Sequence, residues 1–234
     1  DKAEGALKGL EQAENLRARG AIVAWQKATI TKEQARERID RAIQGLERLL
    51  QFGETAERFG LLGSAWKRRA LVTDDDERKH SVQQMVARYQ SMANLRETAS
   101  NYSSSLLNWL TSEVVLGWLD PTKPNSVEKY REMILAEAAS AGARDPDFWT
   151  MVLVPDCKLV LALSAKEFVD KDWRTVAEGY LRARKWAGSE REVRTVIEHL
   201  QFLLAMAAAD PKLAGYLQNC IGYINGSAWP EPHS

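Results

Sequence analysis

The sequence predicts an all-α fold, built from antiparallel helical hairpins stacked as an α-solenoid. Three observations carry this reading. Apolar residues recur at helical spacing in segment after segment, and runs of alternating β-branched residues are absent. Glycine and proline, 14 and 7 of the 234 residues, sit mostly at segment boundaries. The segments run to about 15–20 residues with short loops between them, so consecutive helices must lie antiparallel.

The elements follow in order. A first helix is expected over about 3–18, ending near Gly20, and a short apolar piece, "AIVAWQKA", comes after it. Thr31 caps the next helix, "KEQARERIDRAIQGLERLLQF", and Gln34 completes a capping box. Its apolar positions Ala35, Ile39, Ala42, Ile43, Leu46, Leu49 and Leu50 keep the helical period, and Gly53 stops it. The next helix is "GETAERFGLLGSAWKRRALV", followed by an acidic turn, "TDDDERKH", and the helix "SVQQMVARYQSMANLRETA". "SSLLNWLTSEVVLGWL" and "SVEKYREMILAEAASAG" form a pair across the loop "DPTKPN". "DPDFWTMVLVPDCKLVLALSAKEF" and "DWRTVAEGYLRARKWAG" form another, with Pro155 expected to break, kink or restart the first of them. Ser189 and Glu192 make a second capping box, and Asp210 with Pro211 opens the last helix. Four parts result: an N-terminal helical segment, 1–30; helical repeats, 31–208; a C-terminal capping helix, 209–226; and a flexible tail, 227–234.

Two glycines within four residues are unusual inside a helix, where each costs about 0.5–1 kcal/mol relative to alanine. Phe59, Leu62, Gly63 and Trp66 have the spacing of the first-helix signature of a tetratricopeptide (TPR) hairpin. A residue without a Cβ lets two helix backbones approach, and large aromatics fill the space on either side. Gly63 is therefore expected at the crossing point, with Gly60 on the opposite edge. Met85, Tyr89 and Met92 are spaced 0, 4, 7, the pattern of a second helix. Val176, Tyr180 and Ala183 repeat it, as do Ala35, Ile39 and Ala42. The distance from first helix to second exceeds that of a repeat of about 34 residues by roughly ten, and the excess is assigned to the acidic turn.

On these motifs residues 31–208 are TPR-like. "GETAERFGLLGSAWKRRAL", "YSSSLLNWLTSEVVLGW", "DFWTMV…DCKLVLAL" and "YLRARKWAGSEREVRTVIEHLQFL" together resemble the TPR-type region of large bacterial proteins. Those proteins often carry caspase-like CHAT peptidase or other effector domains in conflict and defence systems. Through Leu107-Asn108 and "LLGSAWKR" the sequence resembles, more faintly, the TRAF-binding central region of apoptosis-signal-regulating kinases. The resemblance implies a non-catalytic, protein-binding scaffold whose partner is another protein or an attached effector. It also implies that first helices line a concave groove, placing Lys67 and Arg68 where a paired cation would suit an acidic peptide, a chain terminus or a phosphate. A solvated helix end favoured by the helix dipole explains the same basic triplet. A chaperone-type carboxylate clamp is not expected, because Gly60 and Ser64 occupy its Lys and Asn positions.

The residue census points away from chemistry. The three histidines, His80, His199 and His233, fall in no metal-binding or catalytic motif, and no phosphate-cradling loop occurs. Cys157 with His199 could be imagined as a nucleophile pair, but a small buried hydrophobe is the preferred reading for Cys157, and for Cys220. Asp74, Asp75 and Asp76 read as a solvated, capping turn rather than a cation site. Neither a metal nor a cofactor is expected. Trp66, Trp109, Trp149 and Trp173 fall on core stripes, whereas Trp118 and Trp229 are less easily buried, and Trp118 is a candidate partner contact.

The 32 basic and 32 acidic residues balance, which argues against a dedicated nucleic-acid binder. A nucleic-acid or nucleotide sensor is the alternative function, kept open by Lys67–Arg69 and by Arg182, Arg184 and Lys185. Two cysteines without a CxxC, no long apolar run and no signal-peptide pattern point to a cytoplasmic setting without a membrane partner. Starting without Met in a charged helical pattern, the chain is expected to be a segment of a longer polypeptide.

Overall fold

The computed structural model describes residues 2–95, 102–141, 147–165, 167 and 169–230. All regular structure among them is helical. The helices are α1 (Lys2–Gln26), α2 (Lys32–Leu50), α3 (Ala56–Leu71), α4 (Asp75–Leu95), α5 (Tyr102–Leu119), α6 (Arg131–Ala141), α7 (Phe148–Ser164), α8 (Asp170–Ala187), α9 (Glu190–Met206) and α10 (Pro211–Ile224), with a 3-10 turn at Glu128–Tyr130. The chain divides into two units, Asp1–Ser112 and Glu113–Ser234.

In the first unit α1 packs on α2 and α3, α2 on α3, and α3 on α4. Short loops make these neighbours antiparallel hairpins, the TPR-like α-solenoid arrangement. The capping box at Thr31 is complete: Thr31 N donates to Gln34 Oε1 at 3.0 Å, and Gln34 N donates to Thr31 Oγ1 at 3.2 Å. Ala35, Ile39, Ala42 and Leu46 are fully buried, as the period of α2 requires. Gly53, at φ +126°, turns the chain away after α2 in a conformation that favours glycine.

Two expectations in this unit are corrected. α1 does not end near Gly20 but runs unbroken to Gln26. Nothing approaches a Cβ built on Gly20, so this glycine marks neither a boundary nor a contact. The acidic turn is likewise mostly helix, with only its Thr73 and Asp74 between α3 and α4. Asp75, Asp76 and Glu77 form the first turn of α4, where the helix dipole favours carboxylates. The roughly ten surplus residues thus lengthen the second helix, and His80 lies on α4 with its ring edge-on to Trp66.

In the second unit α6 packs on α7, α7 on α8, and α10 on both α8 and α9. Glu113 Oε2 accepts a hydrogen bond from Ser126 N at 2.7 Å, closing the "DPTKPN" loop. Ser189 with Glu192, and Asp210 with Pro211 in the first turn, cap α9 and α10 as expected. α7 is continuous through Pro155, so the expected break does not occur. The proline ring packs against Gly179 on α8, where a Cβ would lie 2.9 Å from Pro155 Cβ. The backbone donor lost at proline is thus set against close packing at the same point.

The tryptophans divide differently from the expectation. Trp109 and Trp173 are buried, but Trp149 is half exposed at 51%. Trp229, expected outside the core, is buried: its Nε1 donates to Asp170 Oδ1 at 3.3 Å and its ring meets Tyr223 edge-on. His233 lies outside the described residues. No helix among the described residues is long and apolar enough to cross a membrane.

Candidate functional site

The α3–α4 hairpin holds the motif residues and the basic cluster. Thr55 caps α3, its Oγ1 accepting from Arg58 N at 3.1 Å. Phe59, Leu62 and Gly63 are buried on α3, and Met85, Tyr89 and Met92 are buried opposite them on α4. A Cβ on Gly63 would stand 2.6 Å from Tyr89 Cε1, well inside van der Waals contact. Gly63 is therefore the crossing point. Gly60 is not on the opposite edge, since its Cβ would lie 2.8 Å from Met92 Sδ, also on α4. Both glycines clear the same partner helix, one under a ring and the other under a thioether. The hydroxyls of Tyr89 and Ser64 lie 3.1 Å apart. Burial pushes the Tyr89 phenol above its ordinary pKa, while the Ser64 hydrogen bond and Arg68 act the other way.

The three basic residues at the end of α3 behave differently from one another. Arg69 is built into the fold: its Nε donates to Asp40 Oδ1 on α2 at 2.7 Å, its Nη1 to Ser81 Oγ on α4 at 2.8 Å, and its guanidinium lies 5.5 Å from the Trp66 ring centroid. Arg68, half-buried, donates from Nη1 to Asn15 Oδ1 on α1 at 3.2 Å and to the Ser64 carbonyl at 3.3 Å. Lys67 is half-buried and has interactions of its own. Lys67 and Arg68 thus lie together on α3, whereas Trp118, also half-buried, stands at the end of α5 in the second unit. Asn108 on α5 spends its amide on the Ser104 carbonyl, 2.9 Å away and one turn back.

Sequence reasoning missed Arg58 and Glu11. Both are nearly fully buried, and Arg58 Nε meets Glu11 Oε1 at 2.7 Å, clamping α1 to α3; Nη1 also donates to the Gly53 carbonyl. The spacing of 47 residues between them leaves no local signal.

The second unit repeats the stripe. Val176, Tyr180 and Ala183 are buried on α8, and Tyr180 donates its hydroxyl to Asp156 on α7. Burial raises the Tyr180 pKa well above its usual value, and the Asp156 charge adds to the effect. Burial pushes the Cys157 thiol up to about 12, with further contributions from Asp156 and Glu137, and burial alone takes Cys220 to about 12. Both thiols are free, buried and protonated at neutral pH, the opposite of what an attacking thiolate needs. In the acidic segment, the Asp74 carboxylate accepts from Lys32 and from Arg78 Nη2, the latter at 3.0 Å, and the Lys32 hydrogen bond lowers its pKa. Among the described residues no three His, Cys, Asp or Glu side chains are grouped to hold a metal.

Gly63 under Tyr89, the stripe on α4 and the hairpin stack define a TPR-type helical repeat. Residues 2–113 match the family model TPR-S, Tetratricopeptide Repeats-Sensor. The matched stretch coincides with the first unit. TPR-type repeats generally mediate protein–protein interaction and are generally non-catalytic. Comparison with curated proteins finds no match, and comparison with solved structures finds none.

Proposed function

We propose that the chain is a non-catalytic protein-interaction scaffold, the regulatory or partner-recognition region of a larger bacterial signalling or defence system. On this reading it acts in the cytoplasm and passes recognition of a partner to an attached or separate effector, such as a caspase-like peptidase. Lys67 and Arg68 contact the partner from the end of α3, and Trp118 contributes from the second unit. The observation that carries the reading is the TPR-S match over residues 2–113, seated on a hairpin whose crossing is built around Gly63. Stacked hairpins expose an extended surface made of regular, rigid elements, which suits recognition of a chain segment.

A pull-down with the tagged chain tests it, comparing wild type with Lys67→Glu/Arg68→Glu and with Trp118→Ala. Thermal melting of each variant controls for the Arg68–Asn15 contact. The proposal expects a specific protein partner that the charge-reversed variant recovers poorly while still folded. Unchanged recovery would remove the site assignment. Retention of RNA or DNA with steep salt dependence, and no protein partner, would overturn the reading in favour of a nucleic-acid sensor.

A further inference from the structure

A second surface lies on α8, on the side of the helix opposite its buried stripe. Trp173, Val176, Ala177, Tyr180 and Ala183 are buried. Glu178, Leu181, Arg182, Lys185 and Trp186 follow one another at the spacing of a single helix face and, with Tyr223 of α10, line an open groove of about 320 Å³. Trp186 is 67% exposed. A tryptophan so placed loses apolar stabilisation that burial would give, and the nearby cations do not explain it.

The charges in the groove are unevenly committed. Glu178 is paired with Arg174 at 3.2 Å. The neighbouring Arg184 donates to the carbonyl of Ile224, fastening α8 to the end of α10. Among the described residues neither Arg182 nor Lys185 is ion-paired. Favourable interaction with the C-terminal end of α8 accounts for the cations alone, but not for a tryptophan and a leucine beside them. Tyr223 is held from behind, because the Trp229 ring meets it edge-on at 5.9 Å and Trp229 is tied to Asp170 at the start of α8. One wall of the groove is thereby fixed before anything binds.

We propose that this groove docks an acidic segment of a partner protein, with a bulky apolar residue of that segment covering Trp186 and Leu181 and its carboxylates meeting Arg182 and Lys185. Exposed aromatics beside unpaired cations are the composition of an interaction hot spot. A nucleic acid fits less well. Two unpaired cations neutralise little of a phosphate backbone, and the Glu178 carboxylate lines the same groove. The site lies outside the TPR-S match and does not use Lys67 or Arg68, so it stands or falls separately from the reading above.

Fluorescence anisotropy with the full chain tests the proposal. The probe is a fluorescein-labelled synthetic peptide of Asp and Glu with one central Phe, run against the same peptide with Phe replaced by Gly, its Lys-substituted counterpart, and a labelled oligo-dT strand. Saturable binding of the acidic Phe peptide alone is expected. Arg182→Glu/Lys185→Glu is expected to weaken it by about tenfold or more and Trp186→Ala by about fivefold or more. All three side chains are exposed, so Trp186→Ala should melt as wild type and the charge reversal should lower melting only slightly, through the C-terminal end of α8. Lys67→Glu/Arg68→Glu is expected to leave it unchanged. No binding of the peptide, binding indifferent to these variants, or preferential binding of oligo-dT would each overturn the proposal.

Discussion

The α3–α4 and α7–α8 hairpins solve one packing problem in two ways. In each, a buried tyrosine in the second helix hydrogen-bonds a polar side chain in the first, Tyr89 with Ser64 and Tyr180 with Asp156, across 25 and 24 residues of sequence. In α3–α4 the space for close approach comes from Gly63 on the first helix, and the tyrosine ring fills it. In α7–α8 the small residue, Gly179, sits on the second helix and receives Pro155 from the first. The room needed at a crossing can thus come from either helix, provided the other supplies the bulk. The fastenings also differ. The first hairpin is tied to earlier helices by charge, through Glu11–Arg58 and Asp40–Arg69, whereas the second carries buried Cys157 and a phenol–carboxylate bond.

The largest expected effect removes the charge fastening of the first hairpin. Glu11→Ala leaves the Arg58 guanidinium buried beside a lost partner and should destabilise the first unit by about 3–5 kcal/mol in urea unfolding. Replacing both residues with apolar ones of similar volume should recover most of that loss.

Next comes the crossing in the second hairpin. Gly179→Ala should cost roughly 1–3 kcal/mol, because its Cβ meets the proline ring rather than the end of a flexible side chain. Pro155→Ala in the same chain restores a backbone donor and removes Cγ and Cδ, which would lie 3.2 and 3.4 Å from the new Cβ, but it keeps the Cβ at 2.9 Å, so the double variant should recover only part of the Gly179→Ala loss. Simple additivity would show that the two residues do not meet as described.

Alkaline titration separates the two units further, because both cysteines lie in the second. Their folded pKa values, about 12, stand above the ordinary thiol value of 9.0. Between those limits the unfolded chain binds fewer protons than the folded one. Stability conferred by the protonated thiols is therefore full below about pH 9 and is lost as pH rises towards 12. Unfolding at pH 10.5 rather than 8 should reveal a loss of roughly 1–2 kcal/mol per thiol. Cys157→Ala/Cys220→Ala should flatten that slope whatever it does to stability at pH 8. Tyr180, raised in the same direction, should extend the loss to higher pH, and Tyr180→Phe should remove that part.

Much of this was legible in the sequence, for local reasons. Thr31 with Gln34, Ser189 with Glu192, and Asp210 with Pro211 announce helix starts because each cap acts within three residues. The 0, 4, 7 stripes announce buried faces, and every member of the three stripes is buried. What failed depended on distant partners or on context. Gly20 suggests a boundary, yet an exposed helix interior tolerates it; the acidic run does stand at a boundary, but most of it belongs to α4, whose N-terminus welcomes carboxylates. Pro155 suggested a break because nothing local reveals Gly179, 24 residues away, which gives its ring room. Glu11–Arg58 and Trp229–Asp170 join residues 47 and 59 apart, beyond any pattern of spacing. Trp186, on the face of α8 opposite its buried stripe, was within reach: the helical period turns it away from the core.

The smallest expected effect is also the most direct test, because the crossing at Gly63 underlies the TPR-like reading. Gly20 and Gly63 are both helical, but a Cβ meets nothing within 4 Å at Gly20 and the Tyr89 ring at 2.6 Å at Gly63. Urea unfolding of Gly20→Ala and Gly63→Ala, measured side by side, should give opposite signs. Gly20→Ala should gain about 0.5–1 kcal/mol from helix propensity, and Gly63→Ala should lose about 1 kcal/mol or more as overpacking exceeds the same gain. Stabilisation of both variants would contradict a crossing at Gly63.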